Sequence, residues 1–295
     1  MNNPHPTMVD ASGELAAKDP EMLDSWWFAA RLHDDETTFW VKIHATGLHG
    51  SCISTVALLR ELDGHSSVRH VPEAIHEVAL SATSFDVKTS VLAMSGDLDA
   101  MEISGDTDTA SIRLSLRRED PVLYNGGAGI FPFFDGMTVQ YSLPGLTTSG
   151  TITVDGVTRE VSGRTWFDRQ WAAAGSGPQA FTWLGLDLGA GRYLSVWDTV
   201  GDGTSWLTAL KPDGTHTITR AQRTGGDGHW TLAIPDLDAS LEITYRGLPG
   251  AGGPLYTGVC SVTGTLEGHD ITGHGYTDSA GRTWERPVVH QLIPR

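Results

Sequence analysis

The sequence predicts an all-β protein made of two packed β-barrel or β-sandwich units, on three observations. Turn-forming pairs of an acidic residue and glycine recur along the 295 residues, at 63–64, 135–136, 155–156, 202–203, 213–214, 227–228 and 267–268. Apolar and polar residues alternate with period two between several of these turns, as expected for strands with one buried face. Glycine is abundant, at 35 residues, and charged residues make up only 19% of the chain. That composition favours short strands and tight turns over long surface helices.

The first 20 residues are polar and include Pro6 and Pro20, which predicts a flexible N-terminal arm. The segment 71–82 is the best helix candidate, because Pro72 is followed by apolar residues at helical spacing, but its alternation also permits a strand. Helix is expected to be scarce elsewhere, at less than about 15% of the chain.

Two segments alternate most clearly. In 110–118 the apolar residues at 112, 114 and 116 alternate with serine and arginine, and in 241–246 leucine, isoleucine and tyrosine alternate with polar residues. Between Val154 and Val157 stands an Asp-Gly pair, which predicts a hairpin because glycine tolerates a positive φ. Each of these segments is therefore expected to form a strand or hairpin with one buried face.

The segment after that hairpin combines aromatic and polar residues. If residues 165–171 form a strand, alternate side chains share a face, with Trp166, Asp168 and Gln170 on one side and Phe167, Arg169 and Trp171 on the other. A carboxyl group beside tryptophan is partly desolvated, and desolvation raises its pKa, which suits a proton donor. The alternative is a structural network in which Asp168 binds Arg169 or the backbone and fastens one sheet to another.

The chain is long enough for two β-rich domains. The segment 172–178, with the sequence AAAGSGP, is the expected joint between them. We therefore predict a flexible arm at 1–20, an N-terminal β domain at 21–175 and a C-terminal barrel domain at 176–295.

Several motifs connect the chain with a known family. They are SWWF at 25–28, YSLPGLTTSGT at 141–151, GRTWFDRQW at 163–171, FTWLGLDL at 181–188 and GHGYTDSAG at 273–281. In these motifs the chain resembles the AttH/CrtC family of lipocalin-like proteins, over most of its length. Two positions depart from the family pattern, since Ser25 stands where relatives usually carry an acid and Arg169 where many carry histidine. The resemblance implies two lipocalin-like units joined face to face. The family includes carotenoid 1,2-hydratases, a plant-toxin hydratase and polyketide Diels–Alderases, so it implies a fold more securely than a reaction.

A second polar constellation lies near the carboxyl end. In an extended strand His274, Tyr276 and Asp278 point to the same side, and an acid beside a phenol and an imidazole can hold and return a proton. The resemblance carries the family's Tyr-x-acid element onto Tyr276 and Asp278, in the region that family hydratases use for catalysis. The alternative is a solvent-facing barrel surface, where polar residues are ordinary.

Ten tryptophans supply candidate walls for a substrate site. Most are expected to anchor the cores between sheets. Flat, electron-rich rings can also fold a flexible polyene and stabilise a carbocation. The candidates for substrate contact are Trp166, Trp183, Trp197, Tyr193 and Gln170.

Three functions are consistent with these residues. The first is a cofactor-free enzyme of the lyase or isomerase type that protonates a C=C bond of a hydrophobic isoprenoid, polyene or polyketide and then hydrates or cyclises it. Its catalytic residues would be Asp278, Tyr276, Asp168 and His274. The second is a pericyclase, such as a Diels–Alderase, that works by folding its substrate. The third is a lipocalin-like carrier of a hydrophobic small molecule, without turnover.

Other partners are disfavoured. The net charge of −16 argues against nucleic acid, because such binding requires cationic side chains to neutralise phosphates. The twelve histidines show no metal-ligand spacing and no nucleotide-binding loop is visible, so neither a metal nor an organic cofactor is predicted. Cys52 and Cys260 allow at most one disulfide. No apolar run approaches the roughly 18 residues of a membrane span and no secretory signal is visible. A cytoplasmic location is therefore expected, and the sequence leaves the oligomeric state open.

Overall fold

The computed structural model describes residues 8–134, 136–173, 180–199, 204–226, 228–247 and 255–280. Within these ranges the chain is built almost entirely of strands, with 3₁₀ segments at Ile75–Glu77, Asn125–Gly127 and Pro235–Leu237. The strands of the first half are β1 (Leu23–His33), β2 (Thr38–Leu48), β3 (Ser51–Arg60), β4 (Ser66–Ala74), β5 (Ala79–Leu80), β6 (Phe85–Lys88), β7 (Leu92–Gly96), β8 (Ala100–Asp106), β9 (Ala110–Arg117), β10 (Leu123–Tyr124), β11 (Ile130–Phe133), β12 (Gly136–Val154) and β13 (Val157–Ala172). Those of the second half are β14 (Phe181–Asp187), β15 (Tyr193–Asp198), β16 (Thr204–Leu210), β17 (His216–Gly226), β18 (His229–Ile234), β19 (Ala239–Gly247), β20 (Leu255–Leu266) and β21 (His269–Ala280).

The first half forms one open, curled sheet. Its strand order is β4-β3-β2-β1-β13-β12-β9-β8-β7-β6-β5, and the short strands β10 and β11 pair with β12. Strand β13 returns to pair with β1, which places Asp168 opposite Trp27. The first and last strands of this half therefore lie side by side in the middle of the sheet.

The second half forms a closed barrel in which β14 to β21 follow one another in sequence order. The barrel closes where β21 pairs with β14, and Asp278 there lies opposite Trp183. Such an up-and-down arrangement needs only short turns between neighbouring strands. The predicted all-β architecture of two lipocalin-like units is confirmed.

The long hairpin of β12 and β13 confirms the prediction made from the Asp-Gly pair. Val154 pairs with Val157, and the two residues between them, Asp155 and Gly156, have φ angles of 51° and 81°. A two-residue turn that matches the twist of its strands requires positive φ at both positions. The hairpin carries the predicted strand 165–171 into the centre of the sheet.

Three hydrophobic clusters stabilise the molecule. One covers a face of the open sheet, a second fills the barrel, and a third lies between the sheet and the barrel. The alternating segments predicted from the sequence contribute to the first two, since Ile112 and Leu114 are buried in the sheet's own core and Leu241 and Ile243 in the barrel. The third cluster positions the candidate site.

Two segments differ from simple expectation. Residues 71–82 include the end of β4, one 3₁₀ turn and the whole of β5, so the alternation predicted this region better than the helical spacing. In the described part of the predicted arm, Val9, Ala11 and Leu15 are buried in the sheet's core. These three side chains of the segment are therefore packed against the sheet.

Cys52 and Cys260 are both buried and free, so the single disulfide that the sequence allowed is not formed. Over the ranges the structure describes, no helix is long and apolar enough to cross a membrane. The predicted joint at 172–178 lies largely outside the described residues, and the domain boundaries stay a prediction.

Candidate active site

A cluster of mainly aromatic side chains fills the space between the open sheet and the barrel. This interface cluster consists of Trp27, Ala29, Trp40, Ala57, Leu59, Leu123, Phe131, Phe133, Trp166, Trp183, Tyr193, Trp197, Leu210, Val259 and Tyr276. Aromatic rings bury large areas and prefer edge-to-face or offset contacts, which fixes their geometry. The cluster therefore joins the two halves and forms rigid walls between them.

Strand alternation explains which side chains the sheet contributes. In β1, Trp26 packs into the sheet's own core, whereas Trp27 faces the barrel. In β13, Phe167 lies in the sheet's core, whereas Trp166 belongs to the interface cluster. The faces predicted for 165–171 are confirmed.

The barrel contributes the outward side of its strands. Leu184 and Leu186 fill the barrel, whereas Trp183, next to Leu184 in sequence, faces the sheet. Strand β15 repeats this arrangement, with Val196 inside and Trp197 outside. The sequence left open whether the aromatic walls enclose the barrel or lie between two units, and the structure places them between the units.

Trp183 lies at the centre of the aromatic contacts. Its ring centroid is 5.1 Å from that of Trp27, 5.8 Å from that of Trp166 and 6.4 Å from that of Trp197. Gly185 leaves the space for these rings, because a Cβ atom there would lie 2.6 Å from the Trp183 ring and 3.0 Å from the Trp166 ring. Three of the predicted wall residues therefore come together in one place.

Asp168 lies on the barrel-facing side of the sheet and is 6% exposed. Its carboxylate accepts hydrogen bonds from Ser142 Oγ, from Gln140 Nε2 at 3.1 Å and from Trp166 Nε1 at 2.7 Å. Burial nevertheless raises the pKa of Asp168 to about 7, and the charge of Asp278 adds to that rise, while the three hydrogen bonds oppose it. A carboxyl group with such a pKa carries a proton in a large fraction of molecules at neutral pH.

The proposed pairing of Asp168 with Arg169 is wrong. Arg169 points to the opposite face of the sheet, where its guanidinium lies 2.5 Å from Asp24. The hydroxyl of Ser25 lies 2.9 Å from Nε2 of His44. At both positions that depart from the family pattern, the side chain thus has a local partner.

Asp278 approaches the interface cluster from the barrel and is 9% exposed. Thr257 Oγ1 donates a hydrogen bond to Oδ1 of Asp278 and accepts one from Nζ of Lys42. The same Nζ lies 3.4 Å from Oδ1. Burial raises the pKa of Asp278, while Lys42 and Thr257 oppose the rise. Burial lowers the pKa of Lys42, and the charge of Asp278 opposes that change.

The other two residues of the predicted His-Tyr-Asp constellation differ in position. The Tyr276 ring lies 5.9 Å from the rings of both Trp27 and Trp40, and burial raises its pKa well above the ordinary value, so the phenol stays protonated. His274 is half-buried at the margin of the cluster, 6.2 Å from the Trp40 ring. Asp278 lies four residues further along the same strand, which places it about 13 Å from His274. The structure therefore places Tyr276 in the interface cluster, two residues before Asp278 on the same strand, and leaves His274 at the margin of the cluster.

The last two predicted contact residues have partners of their own. Gln170 Nε2 donates to Thr138 Oγ1 at 3.2 Å. The Tyr193 ring lies 6.2 Å from the Trp166 ring, and its hydroxyl donates to Oδ2 of Asp120 at 2.7 Å. Tyr193 therefore ties the barrel to the sheet.

Several buried polar atoms at this interface have no hydrogen-bond partner among the described residues. They are Trp27 Nε1, Trp197 Nε1, Tyr276 Oη, Asn125 Oδ1 and Gln140 Oε1. Buried polar atoms in folded proteins are almost always hydrogen-bonded. A set of unsatisfied donors and acceptors between apolar walls is typical of a site for a small molecule.

Sequence reasoning missed Lys42 and His44, which occupy the barrel-facing side of β2. The available signal was the segment 39–45, FWVKIHA, in which a lysine and a histidine alternate with apolar residues. Such alternation ordinarily marks a solvent-facing side, and the barrel that covers these residues is not visible from the local pattern. Burial, with the charge of Lys42, holds the pKa of His44 well below its usual value, so its ring is neutral near pH 7.

An open, curled sheet that packs through an aromatic and acidic face onto a closed barrel of β14 to β21 defines a two-unit, lipocalin-like β-protein. The AttH-like family matches residues 54–282, and the chain belongs to that family. The resemblance predicted from the motifs is confirmed.

Two curated relatives have names that state an activity. The dehydratase asqC of Emericella nidulans is 26% identical over 212 residues, which cover 60% of this chain and 60% of that protein. Kievitone hydratase of Fusarium solani subsp. phaseoli is 26% identical over 134 residues, which cover 42% of this chain and 38% of that protein. The chain thus spans less than two thirds of the length of either relative.

Two solved structures share the fold. Kievitone hydratase from Nectria haematococca superimposes with a TM-score of 0.81 at 18% identity, over 96% of this chain and 95% of that chain. An AttH protein from Nitrosomonas europaea gives a TM-score of 0.75 at 18% identity, over 94% of this chain and 99% of that one. The paired arrangement of sheet and barrel is therefore common to these proteins.

Proposed function

We propose that this chain is a cofactor-free hydro-lyase that adds water to, or removes it from, a C=C bond of a hydrophobic small molecule bound at the interface cluster. The observation that carries the proposal is a pair of buried acids, Asp168 and Asp278, that reach one aromatic cluster from opposite sides with different partners. The names of the two curated relatives, a dehydratase and a hydratase, support the same class of reaction.

The balance of charge supports different roles for the two acids. Asp278 lies against the ammonium of Lys42, whereas Asp168 contacts only neutral donors. His44 is neutral near pH 7, so among the described residues Lys42 is the cation that offsets these two carboxyl groups. The combination with no net charge is a protonated Asp168, an ionised Asp278 and a charged Lys42. When two acids lie in contrasting surroundings, one commonly acts as the proton donor and the other as the proton acceptor. In this proposal the donor is Asp168, the acid that the sequence places beside tryptophan.

In hydration, the proton of Asp168 and the π electron pair of the alkene form a new C–H bond, and the adjacent carbon becomes cationic. Water bonds to that carbon and gives one proton to Asp278. The cycle closes when a proton returns from Asp278 to Asp168, so the net change is the addition of one water. Dehydration follows the same steps in reverse.

The aromatic walls suit this chemistry. The faces of Trp27, Trp166 and Trp183 stabilise a nearby cation, an effect of roughly 2 kcal/mol or more where water is excluded. The Tyr276 hydroxyl, protonated and without a partner among the described residues, is available to hold the water that enters or leaves.

The test begins with a panel of alkenes and their hydrated counterparts, which includes kievitone, prenylated phenols and linear polyenes, incubated in D₂O. We expect hydration or dehydration of at least one member, and a hydrated product should carry deuterium at the carbon that receives the proton. Asp168→Asn and Asp278→Asn should each lower kcat by about 10²–10⁴-fold, the usual contribution of general acid–base catalysis. Asp108→Asn, at an exposed acid, is the matched control.

Other outcomes contradict the hydro-lyase proposal. Deuterium uptake with ring closure and no gain of water would identify a cyclase, in which a second C=C bond captures the cation. Full turnover by both asparagine variants, without deuterium uptake, would identify a pericyclase that acts through shape. Tight binding of a panel member that is never converted would identify a carrier.

A further inference from the structure

Lys42 is placed where it can control the acid on the other half of the molecule. It belongs to β2 of the sheet, but its Nζ donates to Thr257 Oγ1 on β20 and lies 3.4 Å from Asp278 Oδ1 on β21. Its side chain is only 4% exposed. The residues in contact are separated by 236 positions in sequence, so the pair forms only when sheet and barrel are packed together.

The hydrogen bonds around Asp278 leave its two oxygens unequal. Thr257 and Lys42 both act on Oδ1, and among the described residues no hydrogen bond is directed at Oδ2. The Trp27 indole N–H faces the same carboxyl group and opposes the rise of its pKa. The Asp278 side chain retains 12% exposure.

A buried ammonium is costly unless its charge is matched, because both ions of a pair lose hydration. A structural role alone is served equally well by a well-packed apolar side chain at this position. The other titratable groups that face Asp278 from the packed strands are His44 on β2, Asp168 on β13 and Tyr276 on β21. His44 and Tyr276 are neutral near pH 7, so Lys42 is the cation that acts on Asp278 among them.

We propose that Lys42 is a positioning residue for the hydro-lyase reaction: its ammonium keeps Asp278 ionised and occupies Oδ1, so that Oδ2 takes the proton from water. The inference rests on the proposed function for the identity of the reactant, while the electrostatic coupling of Lys42 to Asp278 is independent of it. Through Asp278, Lys42 also acts on Asp168, because an ionised Asp278 favours the protonated form of Asp168.

The test uses the full chain with and without substrate. Carboxyl ¹³C NMR of protein labelled at aspartate, with signals assigned from the two asparagine variants, follows the titration of Asp278 and Asp168 in the absence of any substrate. An opposite charge at this distance lowers a carboxyl pKa by about 1–3 units. We therefore expect Lys42→Met to raise the pKa of Asp278 by about 1–3 units and to lower that of Asp168. Lys42→Arg should restore both titrations. Lys211→Met, at a half-exposed lysine that pairs with Glu267, should change neither.

The second readout is the pH profile of kcat for the alkene that the panel identifies. Lys42→Met should move the acid limb to higher pH. At a pH below the limb, kcat of Lys42→Met should be lower than that of the wild type by about tenfold for each pH unit by which the limb has moved. KM should change little. Lys42→Arg should recover most of kcat. A purely structural lysine would instead lower the folded fraction and leave the profile of the folded protein unchanged.

Unchanged titration of both acids in folded Lys42→Met would overturn the inference. If the Lys42 variants do not fold, Thr257→Val provides the test, because it removes one hydrogen bond from Oδ1 while Lys42 remains. This variant should also raise the pKa of Asp278, by a smaller amount. An unchanged Asp278 titration in that variant would equally refute it. Failure of every panel substrate would contradict the proposed function and would leave the NMR result, and therefore the coupling, standing.

Discussion

The interior of the barrel and its outer face are built from alternate residues of the same strands, yet their contents differ completely. The interior is packed with apolar side chains such as Leu186, Leu241 and Val262. The outer face presents Trp183 and Asp278 to the sheet. Barrels of eight strands are wide enough to hold a small ligand or to be filled by their own side chains, and this one is filled. The interior of the barrel therefore stabilises the fold, whereas its exterior supplies Trp183 and Asp278 to the candidate site.

The barrel strands and the interface also differ in their charged groups. In the barrel strands, the carboxylate of Asp198 lies 2.5 Å from the guanidinium of Arg223. At the interface, the ammonium of Lys42 lies against Asp278, whereas the described hydrogen-bond partners of Asp168 are neutral. A buried acid without an adjacent cation must hold a proton or bear the cost of a buried charge. The difference indicates where a transferable proton can be stored.

Removing a side chain from the barrel interior should have the largest effect on stability. Leu241→Ala should lower the free energy of unfolding by about 2–5 kcal/mol, because it leaves a cavity in a packed core, while kcat of the folded protein should not change. Chemical denaturation and turnover below the transition temperature measure the two quantities. Leu48→Ala, at a leucine that is 38% exposed, is the control. Reduced kcat in folded Leu241→Ala protein would show that the interior takes part in the site.

The raised pKa of Asp168 should make the free energy of unfolding depend on pH. The folded-state pKa of Asp168, about 7, lies above its ordinary value of 3.8. Its stabilising contribution is therefore complete below about pH 4 and is lost as the pH rises through about 7. The free energy of unfolding of the wild type, relative to Asp168→Asn, should fall by roughly 4 kcal/mol over that range. Urea titrations of both proteins from pH 4 to pH 8 measure it, and a constant difference would mean that Asp168 titrates normally.

Adding one methyl group at the interface tests how tightly the walls fit. Gly185→Ala places a Cβ atom 2.6 Å from the Trp183 ring and 3.0 Å from the Trp166 ring, so the rings must move. Overpacking of this kind costs about 1–3 kcal/mol, and near-ultraviolet circular dichroism should report the displaced indoles. Gly226→Ala, where no atom lies within 4 Å of the added carbon, should leave the tryptophan spectrum unchanged. An unchanged tryptophan spectrum for Gly185→Ala would show that the walls adapt.

The smallest effect is expected at the contact between Tyr193 and Asp120. Tyr193→Phe removes one hydrogen bond of 2.7 Å, a loss of about 1 kcal/mol, because Asp120 keeps Arg164 at 3.6 Å as a second partner. Denaturation should show this loss with kcat unchanged. A large fall in kcat would instead place the Tyr193 hydroxyl in contact with the reactant.

The sequence predicted the fold well because the signals were local. Alternation at 110–118 and the turn at Asp155-Gly156 depend on neighbours along the chain, and both are confirmed. The alternation also assigned Trp166 and Asp168 to one face. Lys42 was missed because its surroundings are set by strands more than two hundred positions away. His274 was grouped with Asp278 by parity, which gives the side of a strand but not the distance along it.

The long separation of Lys42 and Asp278 in sequence also determines when the candidate site forms during folding. Contacts between residues far apart in sequence form late, because the chain between them must first be ordered. During synthesis Lys42 leaves the ribosome 236 residues before its partner, and until the barrel closes its ammonium is hydrated and Asp168 faces water. An acid in water has an ordinary pKa. We therefore expect Asp168 to have an ordinary carboxyl pKa in a fragment that ends at β13, and a raised pKa only in the complete fold.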